Sequence, residues 1–395
     1  MGVSINNRSG LIGDERGVVL YSALLLLSLL MTVGVQAIVS TQSNFKISSN
    51  LRGESVAFYF ADAGIEWSKN ELARTIVHPP APLDSTQNIS TGTFSVSTLS
   101  SVAVSSLIAK SVVRSAGSFG SSSQVIQAEL MKRYQLADAA IALRGNASSA
   151  NFGGDLFSIS GMDYDPTTGQ PIANARSYAG ISVSQAAVKD QLEIQLSASQ
   201  LANISGTDRE GATIAVSDML PTEAIVRLGD DLCAAGNAQV TAIPAESSIY
   251  VTNQSWGSGS APELRCIDGS FSPGDSITLA GNSSGTGILV VRNSDLILDG
   301  TFRWEGLIIL TGSNVNLKVL AAGSKEIFGA VIVNETGTYS EGSPPSLDLQ
   351  GAIKLLFSRS ALENAATAVS ADALAGVHSS LPSEIIQNYW RLITP

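Results

Sequence analysis

A chain of 395 residues is long enough for two or three domains and a sizeable core. With 44% hydrophobic and only 14% charged residues it is not a disordered chain, which needs the opposite balance. A net charge of −11 argues against a nucleic-acid binder, because phosphate contacts need clustered Lys and Arg; it suits a surface exposed outside the cell without naming a partner.

From Val18 to Phe45 there is no charged residue, and the centre of this stretch is almost all Leu. A bilayer core of about 30 Å needs about 20 apolar helical residues, which the stretch supplies. A secretory signal has a shorter apolar core of about 7–15 residues, followed by a small-residue cleavage site. Here the apolar run continues into helix-like sequence. Arg8 and Arg16 before it are matched by Lys46 and Arg52 after it, so charge does not set the orientation.

Beyond the span, Val56, Phe60, Ala63 and Trp67 recur at helical spacing and predict one apolar face. His78-Pro79-Pro80-Ala81-Pro82 ends any helix. One long helix is expected over 18–77, lipid-facing first and packed on a head afterwards, with Gly34, Gly53 and Gly64 as weak points.

Two stretches together resemble the N-terminal region of PilX-type minor pilins, over roughly the first fifth of the chain. Glu15-Arg16-Gly17, directly before the apolar helix, is similar to a prepilin-type leader. The run Ala61-Asp-Ala-Gly-Ile-Glu66 is similar to the family's Ala-Glu-Ala-Gly-Leu-Glu-like segment. The resemblance implies a leader over 1–17, cut by prepilin peptidase between Gly17 and Val18. It also implies an inner-membrane helix with a periplasmic head, which becomes part of an extracellular filament by packing on other pilin subunits. A tip adhesin is a further partner that the resemblance allows, and no cofactor is implied. Major pilins carry a glutamate at the fifth mature position, where this chain has Ser22. Several minor pilins and the large tip pseudopilin of type II secretion lack it too. The plain reading is a small polar residue whose hydroxyl bonds back to its own helix.

Past the prolines the helical period fades. Thr91 to Thr98 alternates, Val102 to Val113 is rich in Val, and Gln124 to Arg133 reads as a third strand. Turn signals crowd Ala139 to Ile159, at Gly145-Asn146, Asn151 and Gly153-Gly154. A β-rich head region is expected over 83–235.

The stretch 236–395 is the most regular. Four apolar runs open on Gly287, Gly306, Gly329 and Gly351, with starts 19, 23 and 22 residues apart. Shorter alternating pieces lie between them, at Leu296/Leu298, Val315/Leu317 and Leu347/Leu349. A period of about 20 residues points to a β-solenoid-like stack of coils; an antiparallel sandwich of hairpins is the alternative. Ser360-Ala-Leu-Glu363 has the form of a capping box, opening a short C-terminal helix that would cap the stack. The fold class expected is α+β: a transmembrane pilin-like helix, a β-rich head, a repeat domain and its cap.

Residues able to do chemistry are sparse. His78 and His378 are the two histidines, and neither stands near a nucleophile or a second ligand in sequence. No phosphate-binding loop, dinucleotide fingerprint or HExxH motif occurs. Asp163 and Asp165 have the wrong spacing for a calcium loop and read as an Asp-rich turn. Cys233 and Cys266 form either a disulfide, expected in an oxidising compartment, or two buried thiols. Three functions remain: a minor pilin or pseudopilin that primes or tips a filament, an anchored adhesin, and a carbohydrate-active enzyme on a β-helix. The enzyme would draw on Arg292, Asp295, Asp299, Arg303 and Lys318, which surface solvation also explains, so no catalysis is expected.

Overall fold

The computed structural model describes residues 15–75, 77–145, 149–270, 274–337, 345–369 and 381–393. Most of the leader, Asn146 and His378 lie outside them.

Helix α1 (Glu15–Arg74) is unbroken through all three glycines. Every residue from Val18 to Arg52 is exposed, as befits a segment with no protein around it, and the segment is long and apolar enough to cross a membrane. Several of its hydroxyls bond back to the helix backbone. Ser22 Oγ donates to the Val19 carbonyl at 3.0 Å, Ser28 to Leu25 at 2.8 Å and Thr41 to Ala37 at 2.7 Å.

An antiparallel meander follows: β1 (Asp84–Ile89), β2 (Gly92–Ala103), β3 (Ile108–Phe119) and β4 (Ser122–Tyr134). The Val-rich stretch read as one piece, Val102 to Val113, is divided between β2 and β3 by a turn in which Val104 N–H bonds the Ile108 carbonyl.

Next come β5 (Ala139–Arg144), β6 (Ala150–Phe152), β7 (Phe157–Ser160), the short β8 (Tyr164–Asp165) and β9 (Gln170–Pro171), and β10 (Ala179–Val183). Helices α2 (Ala186–Gln195) and α3 (Ala198–Ala202), strands β11 (Ile204–Ser205) and β12 (Ile214–Val216), and helix α4 (Thr222–Ala234) complete this part.

From there the chain alternates between two parallel sheets. The longer takes β13 (Gln239–Ala242), β16 (Glu263–Asp268), β18 (Asn282–Arg292), β20 (Thr301–Gly312), β22 (Lys325–Glu335) and β24 (Ile353–Phe357), with β15 (Ser255–Trp256) beside β18. The shorter takes β14 (Ser248–Thr252), β17 (Ser276–Ala280), β19 (Asp295–Leu298), β21 (Leu317–Val319) and β23 (Leu347–Leu349). The long strands are buried continuously, from Ile288 to Val291 and from Leu307 to Leu310, because α4, helix α5 (Arg359–Ala365) and the short sheet cover them.

Register explains the leading glycines. Gly287, Gly306 and Gly329 face one another across β18, β20 and β22 with φ of 135°, 137° and 135°. A Cβ on Gly306 would lie 2.1 Å from the Gly287 carbonyl oxygen, so the column excludes side chains. Gly351 is not in this column. Lys325 pairs with Ile353, which brings Gly329 opposite Phe357, and Gly351 precedes its strand against the Leu320 backbone.

Both sheets run across residues 235–236. Strands β5, β6 and β7 pair in parallel with β22, β23 and β24, so residues 139–160 lie in the same sheets as the repeats. The last strand, β25 (Ser383–Ile393), returns to pair antiparallel with β4. The expected capping box is displaced: Ser358, not Ser360, caps α5, accepting the Ala361 N–H at 3.3 Å. Helix α5 lies across β18, β20 and β22, while the end strand β13 stays exposed. The helix thus covers a sheet face and not the end of the stack, because a Cβ-free column in the sheet leaves room for Ala365.

Candidate functional site at the helix–head junction

The distal half of α1 beds on the meander through its smallest residues. Gly53, Ala57, Ala61, Gly64 and Ser68 are buried at successive turns, with Ile65 and Leu72 completing the face. A Cβ on Gly117 of β3 would come within 2.2 Å of both the Ala57 carbonyl and the Ala61 amide; one on Gly64 would come within 2.1 Å of Ser115 Oγ. Helix and sheet therefore meet almost backbone to backbone. The face predicted from Val56, Phe60, Ala63 and Trp67 is offset by one position: those residues are half-buried flanks. Reading by large side chains missed a contact made by their absence.

A strand residue closes the end of the helix. Lys132 of β4, 2% exposed, donates to the carbonyls of Leu72 at 2.7 Å and Ala73 at 3.3 Å, and to that of Thr75. These are carbonyls the helix cannot satisfy itself, at the end where the macrodipole favours a cation. Burial pulls the ammonium down to about 8, and its charge lies 5.0 Å over the Tyr134 ring. The same burial pushes the Tyr134 phenol up to about 12. His78 bonds the Ser105 carbonyl at 2.7 Å and meets Tyr134 edge-on; desolvation lowers its pKa.

At the other end, Gly17–Val18 lies in the opening turns of α1, and Ser22 bonds only its own backbone in the described structure. Within the body of parallel strands, Cys233 of α4 and Cys266 of β16 are joined, their Cα atoms 5.6 Å apart, pinning the helix to the long sheet.

The residues that could have built an enzyme are divided between the two sheets. Arg292 bridges Asp230 at 2.8 Å and Asp268 at 2.7 Å, a structural role tying α4 to the coils. Asp295 starts a strand of the short sheet, where burial raises its carboxyl to about 7 against a backbone hydrogen bond from Asn316 and the charge of Lys318. Arg303 belongs to the long sheet. Asp163 and Asp165 are both engaged by the chain: Asp163 accepts the Arg359 N–H at 2.8 Å, and Asp165 accepts the Thr167 N–H at 2.8 Å and the Thr168 hydroxyl at 3.1 Å. Among the described residues no group of three or more His, Cys, Asp or Glu could hold a metal.

Sequence reasoning passed over Lys132 and the buried pair in which Arg144 Nη2 holds both Asp138 oxygens at 2.9 and 2.8 Å. The only local signal was a lone charge at a position where strand alternation calls for an apolar residue.

An unbroken helix, apolar in its first half and bedded on an antiparallel sheet in its second, joined to a larger body of parallel strands, defines this chain. No family profile and no curated protein matches it. Among solved structures it is similar to the competence-associated pilin ComZ from Thermus thermophilus, at 14% identity over 87% of this chain and 98% of that one, with a TM-score of 0.19. A likeness at that score carries no weight as to function.

Proposed function

We propose that this chain is a minor pilin or pseudopilin, an assembly subunit and not an enzyme. The observation that carries the reading is the glycine junction, Gly17–Val18, set directly against a helix that is uncharged from Val18 to Phe45 and exposed as far as Arg52, and whose second half is bedded on the head. A helix exposed over so many apolar residues needs lipid before assembly and other helices after it. The resemblance to PilX-type minor pilins supplies the rest: cleavage by prepilin peptidase after Gly17, a head on the far side of the inner membrane, and incorporation into a filament. The parallel strands are read as a β-solenoid displayed by that helix, since successive long strands pair in register while the short sheet and helices α4 and α5 cover their apolar faces.

Ser22 deepens the reading. A new α-amino group on Val18 is a charge in an apolar setting and needs a partner. By resemblance, an incoming subunit's fifth-residue glutamate meets the amine of the subunit above. A chain with Ser22 there offers no acid upward, yet its own amine still accepts one from below. It suits the first position, at the tip. The decisive experiment is the mature N-terminus by mass spectrometry in the native host. A start at Val18 that Gly17→Ala abolishes supports the reading, and an unprocessed or differently cut chain overturns it.

A further inference from the structure

The outer face of the long sheet carries a row of polar residues running across its strands. Ser255, Ser284, Arg303, Glu326, Lys354 and Ser158 occupy one register position on six neighbouring strands. Residues in register in a parallel sheet share a face, about 4.8 Å apart from strand to strand. Inside the row, Glu326 accepts from Arg303 at 3.2 Å and from Lys354 at 2.8 Å, while Arg303, Glu326 and Lys354 stay partly open to solvent at 40%, 32% and 59%.

Beside the row stands a wall. The turn between β8 and β9 is pinned by Arg303 Nη2, which donates to the Pro166 carbonyl at 2.6 Å, and is shaped internally by Asp165. The wall and four residues of the row, Arg303, Glu326, Lys354 and Ser158, line a groove of about 530 Å³. Its lining adds the hydroxyl of Thr168, the amide of Gln170 and an apolar strip. In that strip Phe328 and Leu356, both buried, share a register position on the same face and support Tyr164, which is half-buried and packed on them. The Arg303 guanidinium lies 4.6 Å over the Phe328 ring, so the strongest donor is held flat and rigid.

Arg303, Lys354 and Glu326 line the groove, and Glu305, outside the lining, pairs with Arg303 at 2.8 Å, so the formal charges of the cluster cancel and favour no ion. The groove offers donors and acceptors in alternation, at regular spacing, next to apolar carbon. We infer that this groove binds a neutral oligosaccharide chain lying across the strands. Vicinal hydroxyls would match the alternating carboxylate and cation, and the sugar's C–H face would rest on the Tyr164 side. The inference concerns what the head holds and does not depend on how the helix is processed.

The test uses the full chain in zwitterionic micelles, whose headgroups contain no sugar. Maltohexaose, cellohexaose, mannohexaose and a hexameric oligogalacturonate are titrated by calorimetry. At least one neutral hexamer is expected to bind. Lys354→Ala, and separately Glu326→Ala, should weaken it by about tenfold, the scale of one or two lost charge-assisted hydrogen bonds. Both side chains reach solvent, and circular dichroism of each variant checks the fold; Asp295→Asn, in the other sheet, should bind as wild type. No binding of any neutral hexamer, binding of the oligogalacturonate alone, or binding that both variants leave unchanged would overturn the assignment.

Discussion

The Lys132 ammonium lies 2.7 Å from the Leu72 carbonyl, so a residue near the end of β4 closes the helix that carries the protein's membrane-length segment. Helix and head are joined there by a charge as well as by packing. Lys132→Met keeps the aliphatic volume and leaves the carbonyls of Leu72, Ala73 and Thr75 without this donor. A loss of about 1–3 kcal/mol is expected, read as a lower thermal midpoint of the full chain in micelles. An unchanged midpoint would show that the cap contributes nothing. The same lysine has a pH signature, because its folded value, about 8, lies below the ordinary 10.5. Between those values the unfolded chain binds more protons than the folded one, so this group's contribution to stability rises with pH across that window and is flat below it. Titration of the lysine side-chain carbon signals by NMR should show one lysine changing near pH 8, and that signal should vanish in Lys132→Met.

Asp295 works in the opposite sense. Its folded value, about 7, stands above the unfolded 3.8. Its cost to stability is fully present above the folded value and disappears as pH falls below the unfolded one. Asp295→Asn should therefore raise stability at about pH 8 by about 1–2 kcal/mol, after discounting for partial exposure, and change little near pH 4. Equal midpoints for mutant and wild type in the alkaline sample would contradict a buried, proton-retaining carboxyl.

Gly306→Ala strikes the glycine column. The new Cβ would meet both the Gly287 carbonyl, at 2.1 Å, and Ala365 Cβ, at 2.8 Å, on a backbone with φ of 137°. A loss of more than about 3 kcal/mol, or no folded head at all, is expected by far-ultraviolet circular dichroism. Gly236→Ala is the control: it has open space around it and should be nearly silent. Equal melting of the two variants would remove the column's steric role.

The cysteine pair closes a loop with a sequence separation of 33. Cys233→Ser with Cys266→Ser should cost roughly 3–4 kcal/mol by the chain-entropy relation. Natively exported protein should resist alkylation until reduced; two freely reacting thiols would rule the bond out of the working protein.

Ser22→Ala removes only a hydroxyl bonded to the Val19 carbonyl, so assembly should survive it. Immunogold label should sit at filament ends. Label along the whole shaft, or loss of assembly in the variant, would count against a tip position.

What the sequence determined by itself was local. An uncharged stretch from Val18 to Phe45 is long and apolar enough to cross a membrane as a helix, and Pro79-Pro80 cannot continue it. The spacing of Gly287, Gly306 and Gly329 matched the step from one long strand to the next, because the in-register column they form leaves no room for a Cβ. The tertiary structure decided the contacts that depend on distant partners. Nothing near Ala57 or Ala61 says that Gly117 will lie against them, and nothing near Lys132 says that a helix ends beside it. Strands β5 to β7 could not be assigned to the two parallel sheets from their own residues, since parallel pairing gives their hydrogen bonds to strands far along the chain. Local propensity is written residue by residue, whereas close approach and parallel register are properties of two segments at once.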